Sequence, residues 1–567
     1  MAEAIKFTDV DVNTTEKYRR RLKQLKNDRQ SWGVHWKDIV DFMMPRRGRY
    51  LSSDTEKSND GAKKHGSIVN GSASDALRTI AAGLQGGLTS PSRPWFAISI
   101  NDEQIMELAQ VREWCHDTRN LMLEVLAKSN FYGAIHSVYE ELAGFGTSGM
   151  LIEEDLKKVI RCRPFTIGEY YLALDNHFEV AALYRQFAMT ARQLVEEFGI
   201  DNVTEAVKNS LQSSQGEKTY EVVHVIEKND GLTPGKADQR GMEFSSIYFE
   251  VQADTDKFLR QKGYKSKPFV APRWYVNGVD TYGASPGMDA LGDVKMLQKM
   301  ETKKLKALDK MVDPPMNAPS NMKGKGGTVI AGGVNYVDIA QGQQGFTPAY
   351  QINPDFQKIS IEIDRVEQRI KRFFFNDLFL AIINTDKQAT AYEISKKYEE
   401  KMVVLGPILE RLQSELLGPV IERVYAIVEE LGILPIAPQE LQGREIKIEF
   451  IGLLAQAQKL VGTTGIEQVA GFVANMAALS PSAIDKFDAD EAIDQYADMV
   501  GIPPKLIRSD DVVAQIRDGK AKMQAQAQAQ MQQASNIQNA KTLSETPVGT
   551  DSMLDVLGKT MKGMGPK

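Results

Sequence analysis

Cysteine is almost missing from this sequence: among 567 residues, only Cys115 and Cys162 are present. Two cysteines cannot form the disulfide framework of a small secreted domain, and they are typical of a reducing compartment. No apolar run approaches the roughly 20 residues needed to cross a bilayer. The first residues, MAEAIKFTDV, lack the apolar centre of a signal peptide. We therefore expect a chain with no membrane partner, used in the cytosol or in a particle assembled there.

Positive charge is not in excess either. The formal net charge is −6, and the isoelectric point is about 5.8. Because proteins that hold nucleic acid in a static grip usually carry a basic excess, any contact with DNA is expected to be local or weak. Two basic runs, RRRLKQLK at 19–26 and PRRGR at 45–49, could hold phosphate. Such runs are more often solvated helix faces or meet an acidic partner.

The sequence also lacks the patterns of common catalytic and metal sites. Cys115 and His116 are adjacent on a predicted helix, so their side chains diverge. The histidines have no metal-binding spacing such as HExxH. We therefore predict no catalytic site, no metal and no cofactor. The histidines are His35, His65, His116, His136, His177 and His224.

Two further stretches resemble ligand-binding motifs, but another interpretation of each is favoured. MKGKGGT at 322–328 resembles a phosphate-binding loop, but Pro319 occupies the first glycine position and Gly326 follows Lys325. A flexible loop is the favoured interpretation. The carboxylates of EED at 153–155 could bind a metal, but they end a predicted strand, which favours a solvated hairpin turn.

Periodicity predicts helices and strands together in the first half of the chain. Apolar residues recur at helical spacing in several segments. Between Gly149 and Trp274, short runs rich in β-branched and aromatic residues are typical of strands, and one helix from about Thr190 to Phe198 interrupts them. The predicted fold class is α+β, mainly helical. The predicted helices are 13–43, 67–84, 102–128 and 131–144, and the predicted strands are GMLIEED, KVIRCRPF, EYYLALD, FEVAALYRQF, YEVVHVIEK and SSIYFEVQ.

Two long amphipathic helices flank a glycine-rich segment in the middle of the chain. The first is predicted at 285–312, roughly 40 Å long, and ends at the prolines of DPP. The second, at 355–377, must run back beside the first, because its apolar stripe would otherwise forfeit several kcal/mol in water. Two helices cannot cover both stripes without further neighbours. We therefore expect copies of the chain to stand side by side.

The C-terminal part of the chain is predicted to be mostly helical. A helical stretch at 389–431 contains Gly-Pro pairs at 406–407 and 418–419, where kinks or breaks are expected. IKIEFIG at 446–452 is typical of a strand. Helices are predicted at 453–478, 482–500 and 503–517, followed by a low-complexity helical segment and, over about the last 25 residues, a disordered tail.

Several stretches together resemble the head-to-tail connector, or portal, proteins of short-tailed bacteriophages. No single stretch is diagnostic, but the set appears in one order across most of the chain. It does not include the extreme C-terminus. The stretches are GGLTSPSRPWF (86–96), SNFYGAIHSVYEELAGFGTSGMLIEED (129–155), RWYVNGVDTYGASPGMDALGDVKMLQKM (273–300), MVDPP (311–315), ATAYEISKKYEEKMVVLGPILERLQSELLGPVIERVY (389–425) and IEFIGLLAQAQ (448–458).

The resemblance implies a ring of twelve subunits at one capsid vertex, through which double-stranded DNA is packaged and ejected. It implies a portal fold in which each chain builds a wing, a two-helix stem, a clip, a channel loop and a crown. The implied divisions are wing 1–284, stem helix one 285–312, clip 313–354, stem helix two 355–377, channel loop 378–389, wing and crown-proximal segments 390–452, crown 453–517 and tail 518–567.

The resemblance also implies the partners and the location. The expected partners are other copies of the chain, double-stranded DNA bound without sequence preference, the terminase large subunit, a tail adaptor, and the major capsid and scaffold proteins. The expected location is the portal vertex of a virion assembled in the host cytoplasm. Two alternatives stay open: a structural adaptor or scaffold without a channel, and a DNA-processing enzyme.

Five lysines recur every three or four residues on the first stem helix and share one face. They are Lys295, Lys299, Lys303, Lys306 and Lys310. This lysine stripe has four possible surroundings: the DNA channel, carboxylates of an adjacent stem, the capsid opening on the outside, or solvent alone. The candidate carboxylates are Glu362, Asp364 and Glu367.

Two further candidate sites follow from the implied channel loop and clip. NTDKQ is polar and follows the apolar FLAII, so its residues could touch DNA without base preference; an ordinary interhelical connection is the alternative. The clip tip is the far end of the stalk and is the candidate docking site for tail and terminase. The channel-loop residues are Asn384, Thr385, Asp386, Lys387 and Gln388, and those of the clip tip are Lys323, Lys325, Gly326 and Gly327.

Overall fold

The chain divides into two compact units, Met1–Gly465 and Ile466–Lys567. Helices and strands occur together, which confirms the predicted mixture of helix and strand. The computed structural model describes residues 15–51, 66–106, 108–229, 241–252, 257–317, 347–348, 354–383, 403–441, 444, 446–455, 464–480, 486–493, 510–545, 547–548 and 551–552.

The helices and strands follow each other in mixed order along the chain. The described helices are α1 (Thr15–Phe42), α2 (Ser72–Leu88), α3 (Glu103–Met106), α4 (Ala109–Lys128), α5 (Phe131–Phe145), α6 (Ala191–Phe198), α7 (Glu205–Gln212), α8 (Pro286–Val312), α9 (Phe356–Phe373), α10 (Asn376–Ile383), α11 (403–412), α12 (Gly418–Glu430), α13 (Thr464–Leu479) and α14 (Asp510–Glu545). The strands are β1 (Phe96–Ile100), β2 (Gly149–Asp155), β3 (Val159–Phe165), β4 (Tyr170–Leu174), β5 (Val180–Thr190), β6 (Thr219–Lys228), β7 (Phe244–Glu250), β8 (Arg260–Tyr264), β9 (Phe269–Val270), β10 (Met316–Asn317), β11 (Thr347–Pro348), β12 (Ile446–Phe450), β13 (Pro547–Val548) and β14 (Asp551–Ser552).

The largest sheet is antiparallel, with strand order β4-β5-β6-β7-β8. Successive side chains of a strand point to opposite faces, so each face receives its own layer. Val223 and Val225 of β6 pack with Tyr18 of α1 on one face. Val222 packs with Leu194 of α6 on the other. The β-branched runs predicted as strands in this region are therefore buried between two helical layers.

A smaller sheet has strand order β3-β2-β9, and a separate pair joins β1 to β12. In that pair Phe96 is opposite Phe450 and Ile100 is opposite Ile446. Strand β12 lies in the segment predicted to be a strand. Strand β1 was not predicted, because its partner is more than 300 residues further along the chain.

Close backbone packing fixes the start of helix α8. The hydroxyl of Ser285 donates to the Gly144 carbonyl at 2.7 Å and accepts the Met288 N–H at 3.0 Å, as a helix N-cap does. A Cβ at Gly287 would lie 2.6 Å from the same Gly144 oxygen, so glycine is required there. These contacts hold the start of α8 against the end of α5. We call this start, Ser285–Met288, the stem root.

The second stem helix is shorter than predicted. The prediction of one helix over 355–377 is wrong, because α9 ends at Phe373 and α10 begins at Asn376. Between them, Phe375 has a positive φ of 49°, a conformation that does not continue a right-handed helix. Residues 378–383, predicted to begin the channel loop, belong to helix α10.

The C-terminal part of the chain departs from the prediction in two places. No break occurs at 406–407, since α11 runs through Pro407 to residue 412. At the second predicted position, 418–419, a π-helical turn, Gln413–Leu417, ends and α12 begins at Gly418. In the second unit, α14 has 36 residues, so the predicted boundary between crown and tail at 517–518 falls inside one helix.

Candidate nucleic-acid interface

The lysine stripe lies on α8, and most of it is exposed. Lys299, Lys303, Lys306 and Lys310 are exposed, and Lys295 is half-buried. The other predicted site residues lie outside the described residues: the channel loop Asn384, Thr385, Asp386, Lys387 and Gln388, and the clip tip Lys323, Lys325, Gly326 and Gly327. The candidate site is therefore described from the stem helices α8 and α9.

Lys295 differs from the rest of the stripe. Its Nζ lies 2.7 Å from Asp38 Oδ2 of α1 and 5.6 Å from the centre of the Phe42 ring. An ion pair and a cation–π contact thus attach this lysine to its own chain. The part of the stripe available to another molecule begins at Lys299.

Lys299, Lys303 and Lys306 face away from the second stem helix. Helix α9 contacts α8 where Arg369 donates to Asp293 at 3.0 Å. Asn70 joins Glu301 of α8 to Glu367 of α9, with N···O distances of 3.3 and 2.8 Å. At roughly 100° per residue, the three lysines lie about 120–180° around α8 from the mean direction of Asp293 and Glu301.

These three lysines carry uncompensated positive charge. Within the part of the chain that the structure describes, none has an ion-pair partner, whereas Lys304 pairs with Glu301 at 3.7 Å. Of the three carboxylates considered as partners, Glu362 pairs with Arg365 of its own helix. Glu367 accepts from Asn70. Asp364 is exposed.

The two stem helices are basic in an acidic protein. Helices α8 and α9 contain eleven Lys and Arg residues against seven Asp and Glu, while the whole chain has a net charge of −6. Such a local excess attracts a polyanion without making the whole surface adhesive. The two stem helices therefore carry a local excess of positive charge that an anionic partner could meet.

The segment just before α2, residues 69–70, is hydrogen-bonded to a buried glutamine side chain on the stem helix α8. Gln298 of α8 is 4% exposed. Its Oε1 accepts the N–H groups of Val69 and Asn70 at 2.7 and 2.8 Å, and its Nε2 donates to the Asn70 carbonyl at 2.7 Å. The sequence offered one signal of this role, since a glutamine beside Leu297 lies on the apolar face.

Replacing this glutamine is expected to loosen the stem. A Q298A variant leaves three backbone groups of 69–70 without their partner, at a cost of about 2–3 kcal/mol in unfolding free energy. Denaturant unfolding at one protein concentration measures the loss. Q368A, which truncates an exposed glutamine on α9, should change the free energy by less than about 0.5 kcal/mol. Equal effects of the two variants would contradict this role of Gln298.

The two basic runs near the N-terminus mainly bind their own chain. Arg19 donates to the Glu250 carbonyl at 3.1 Å, and Arg21 donates to Glu227 at 3.0 Å. Arg47 donates to Glu140 at 2.6 Å. These arginines hold α1 to the large sheet and the 45–50 segment to α5, so they are not arranged as a phosphate surface.

The acidic cluster at 153–155 lies at the end of β2, at a hairpin turn. Asp155 accepts the Lys157 N–H at 2.8 Å and pairs with Arg161 at 2.7 Å. Glu153 pairs with Arg163 at 3.0 Å. Across the described ranges, no three or more His, Cys, Asp or Glu side chains group closely enough to hold a metal ion. Nor do these ranges contain a helix with the length and hydropathy of a membrane span.

Both thiols are buried and free. Burial raises the pKa of Cys115 to about 11 and that of Cys162 to about 12. A thiol in such surroundings stays protonated near neutral pH and is a poor nucleophile.

Comparison with known protein families shows the class of this protein. A family model described as "Bacteriophage head to tail connecting protein" matches residues 15–507. The chain therefore belongs to the family of bacteriophage head-to-tail connecting proteins, which confirms the resemblance seen in the sequence.

Two relatives are named more specifically. The chain is 41% identical over 547 residues to the "Portal protein" of Salmonella phage epsilon15, covering 96% of this chain and 98% of the relative. It is 41% identical over 509 residues to the "Probable portal protein" of Bordetella phage BPP-1, covering 90% and 91% of the two chains.

Proposed function

We propose that this chain is the portal subunit of a short-tailed phage. Copies form a ring, twelve by the family resemblance, at one capsid vertex, and double-stranded DNA is packaged and ejected through its centre. The observation that carries the proposal is the near full-length similarity to two portal proteins. The described stem supports it, because it has one apolar and one basic face.

The apolar face of α8 gives a physical reason for assembly. Near its root, Leu291, Val294 and Leu297 are buried within the chain. Further along the same face, Leu305 is 47% and Val312 is 76% exposed. Exposed apolar surface of this kind favours association, at about 25 cal/mol per Å² buried. Neighbouring copies in a ring would cover it.

The charge pattern suits a channel through which DNA must slide. Each phosphate neutralised adds about one unit to the salt dependence of binding, so many strong contacts would stop movement. Lys299, Lys303 and Lys306 offer a few exposed charges per copy and no built phosphate pocket. DNA-channel lining is the surrounding we propose for these lysines, and for the channel loop at 384–388.

The remaining regions are assigned by the resemblance. The wing at 1–284 would face the major capsid and scaffold proteins. The clip at 313–354, with its tip at 323–327, would dock the terminase large subunit during packaging and the tail adaptor afterwards. The portal itself would be no enzyme, since the packaging motor is another protein. Assembly would take place in the host cytoplasm, and the product would be part of the virion.

Neutralising the free part of the stripe tests the channel assignment. K299Q/K303Q/K306Q is expected to assemble into rings but to reduce packaged or retained DNA by at least about threefold, because the phosphate contacts weaken. The measurement is genome copies per particle after complementation of a portal-deficient phage. K23Q/K157Q/K158Q removes three exposed lysines outside the stem and should leave the genome content unchanged. Normal packaging and retention in the stem variant would exclude the channel assignment.

A further inference from the structure

Arg273 is a buried charge that contacts several elements near the start of α8. It is 4% exposed and lies between β9 and α8. Its Nη2 donates to Glu415 Oε1 at 2.7 Å and its Nε to Glu415 Oε2 at 3.2 Å. Its backbone N–H donates to the same Oε2 at 2.9 Å. One carboxylate therefore fixes both the side chain and the main chain of this residue.

The same guanidinium holds two loops. Nη1 donates to the Asp280 carbonyl at 3.2 Å, and Nη2 donates to the Phe178 carbonyl at 3.0 Å. Phe178 lies in the β4–β5 turn with a positive φ of 62°, which is unusual for an aromatic residue. Arg273 thus joins the large sheet, the segment before α8 and the region before α12.

The segment between Arg273 and α8 is held by backbone hydrogen bonds, so it connects the position of Arg273 to the start of α8. Tyr275 pairs with Ala284 in an antiparallel bridge, where the Ala284 N–H donates to the Tyr275 carbonyl at 2.7 Å. The next residue, Ser285, is the N-cap of α8. A movement of Arg273 therefore reaches the first turn of the stem through a short hydrogen-bonded loop.

Glu415 reaches Arg273 from the π-helical turn Gln413–Leu417. A π-helical turn contains one more residue than an α-helical turn, and such turns are frequent at functional sites. Conversion to a regular α-helix would rotate the residues that follow relative to α11. The geometry of the pair therefore depends on the register between α11 and α12.

A contribution to stability alone does not explain this pair. Replacing a buried ion pair by apolar residues of similar volume is often neutral or stabilising, because burial of the charges costs as much as their attraction returns. The ion pair also fixes the position of Glu415, after α11, relative to Arg273, before α8. Helix α11 follows the predicted channel loop in the chain, so the link joins that part of the chain to the stem root.

We propose that Arg273 and Glu415 are positioning residues that transmit changes in the helix following the channel loop to the root of the stem helix α8. This inference rests on the proposed portal function for its biological meaning. Its physical content is a coupling between α11 and α8 that passes through Glu415, which lies 3.7 Å from Arg411 of α11 and 2.7 Å from Arg273.

The coupling is tested by hydrogen exchange on the purified full-length protein. L409A truncates a fully buried residue of α11 and serves as the perturbation. In the wild-type background, L409A is expected to speed amide exchange in the first turns of α8, residues 287–297, by at least about fivefold more than in β6. In the R273M/E415L background, the same perturbation should change the two regions equally.

A matched control keeps the result interpretable. R163M/E153L removes another arginine–glutamate pair, at 3.0 Å between β3 and β2, and transmission to α8 should persist in it. If R273M/E415L does not fold, E415Q replaces it with the same expectation, since it removes the charge and keeps the shape.

Two results would overturn the inference. One is an equal effect of L409A on α8 with and without the Arg273–Glu415 pair. The other is no selective effect on α8 in the wild-type background. Because the assay contains no DNA, capsid or tail, its failure would leave the portal function untouched, and failure of the lysine experiment would leave this coupling untouched.

Discussion

A G83V substitution is expected to displace helix α10 and destabilise the protein by about 3 kcal/mol. Gly83 is buried on α2, and a Cβ there would lie 2.3 Å from Phe379 Cδ1 and 2.5 Å from Phe379 Cβ. Because Phe379 Cβ is next to the backbone, a change of side-chain rotamer cannot relieve the overlap. Helix α10 itself must move, and it leads directly into the predicted channel loop at 384–388.

The matched control is G292V on α8. Gly292 is also inside a helix, but nothing lies within 4 Å of the position of its Cβ. Valine has a higher helix propensity than glycine, so this variant should gain a few tenths of a kcal/mol. Denaturant unfolding of both variants at one protein concentration gives the comparison. Similar unfolding free energies for G83V and G292V would contradict the α2–α10 contact.

The second large effect is a pH dependence caused by Glu141. This residue of α5 is 1% exposed. Its Oε2 accepts the Ile167 N–H at 3.0 Å, and its Oε1 lies 3.4 Å from Arg47 Nη1. Burial raises the pKa of its carboxyl group from 4.5 to about 7, and the nearby Arg47 only partly opposes this shift.

The direction in which the stability changes with pH follows from proton linkage. A raised folded-state pKa means that the folded chain binds this proton more tightly than the unfolded chain. The contribution to stability is therefore complete below about pH 4.5 and is lost as the pH rises through about 7. A shift of this size corresponds to about 3 kcal/mol. E141Q has no such proton, so at pH 8 it should be more stable than the wild type by about that amount.

Unfolding free energies of wild type and E141Q between pH 4 and pH 8, at one protein concentration, check this expectation. E140Q is the matched control, because Glu140 binds the same Arg47 at 2.6 Å but is partly exposed. The loss of stability as the pH rises through about 7 is expected to disappear in E141Q and to persist in E140Q. A constant difference between wild type and E141Q across this range would rule out the buried titration.

The sequence predicted elements best where the pattern is local. The strands of the large sheet are readable because alternate side chains of β6 face two apolar layers. The lysine stripe is readable because helical spacing alone places its members on one face. The pairing of Lys295 with Asp38, 257 residues away, leaves no local signal.

The errors in the prediction have physical causes that sequence patterns do not carry. Apolar residues recur at steps of four across the end of α9, at Ile370, Phe374 and Leu378, and no glycine or proline marks the positive φ of Phe375. Pro407 gave a false break, because a proline removes one helix hydrogen bond and packing can tolerate that loss. The π-helical turn at 413–417 and its ion pair with Arg273 depend on tertiary contacts 142 residues apart.

Electron microscopy of the purified chain shows whether neighbouring copies complete the stem around a hollow axis. We expect rings with a central hole, in which the exposed face of Leu305, Leu308 and Val312 lies between subunits. A monodisperse particle without a hole, or a stable monomer with this face covered by its own chain, would contradict this expectation.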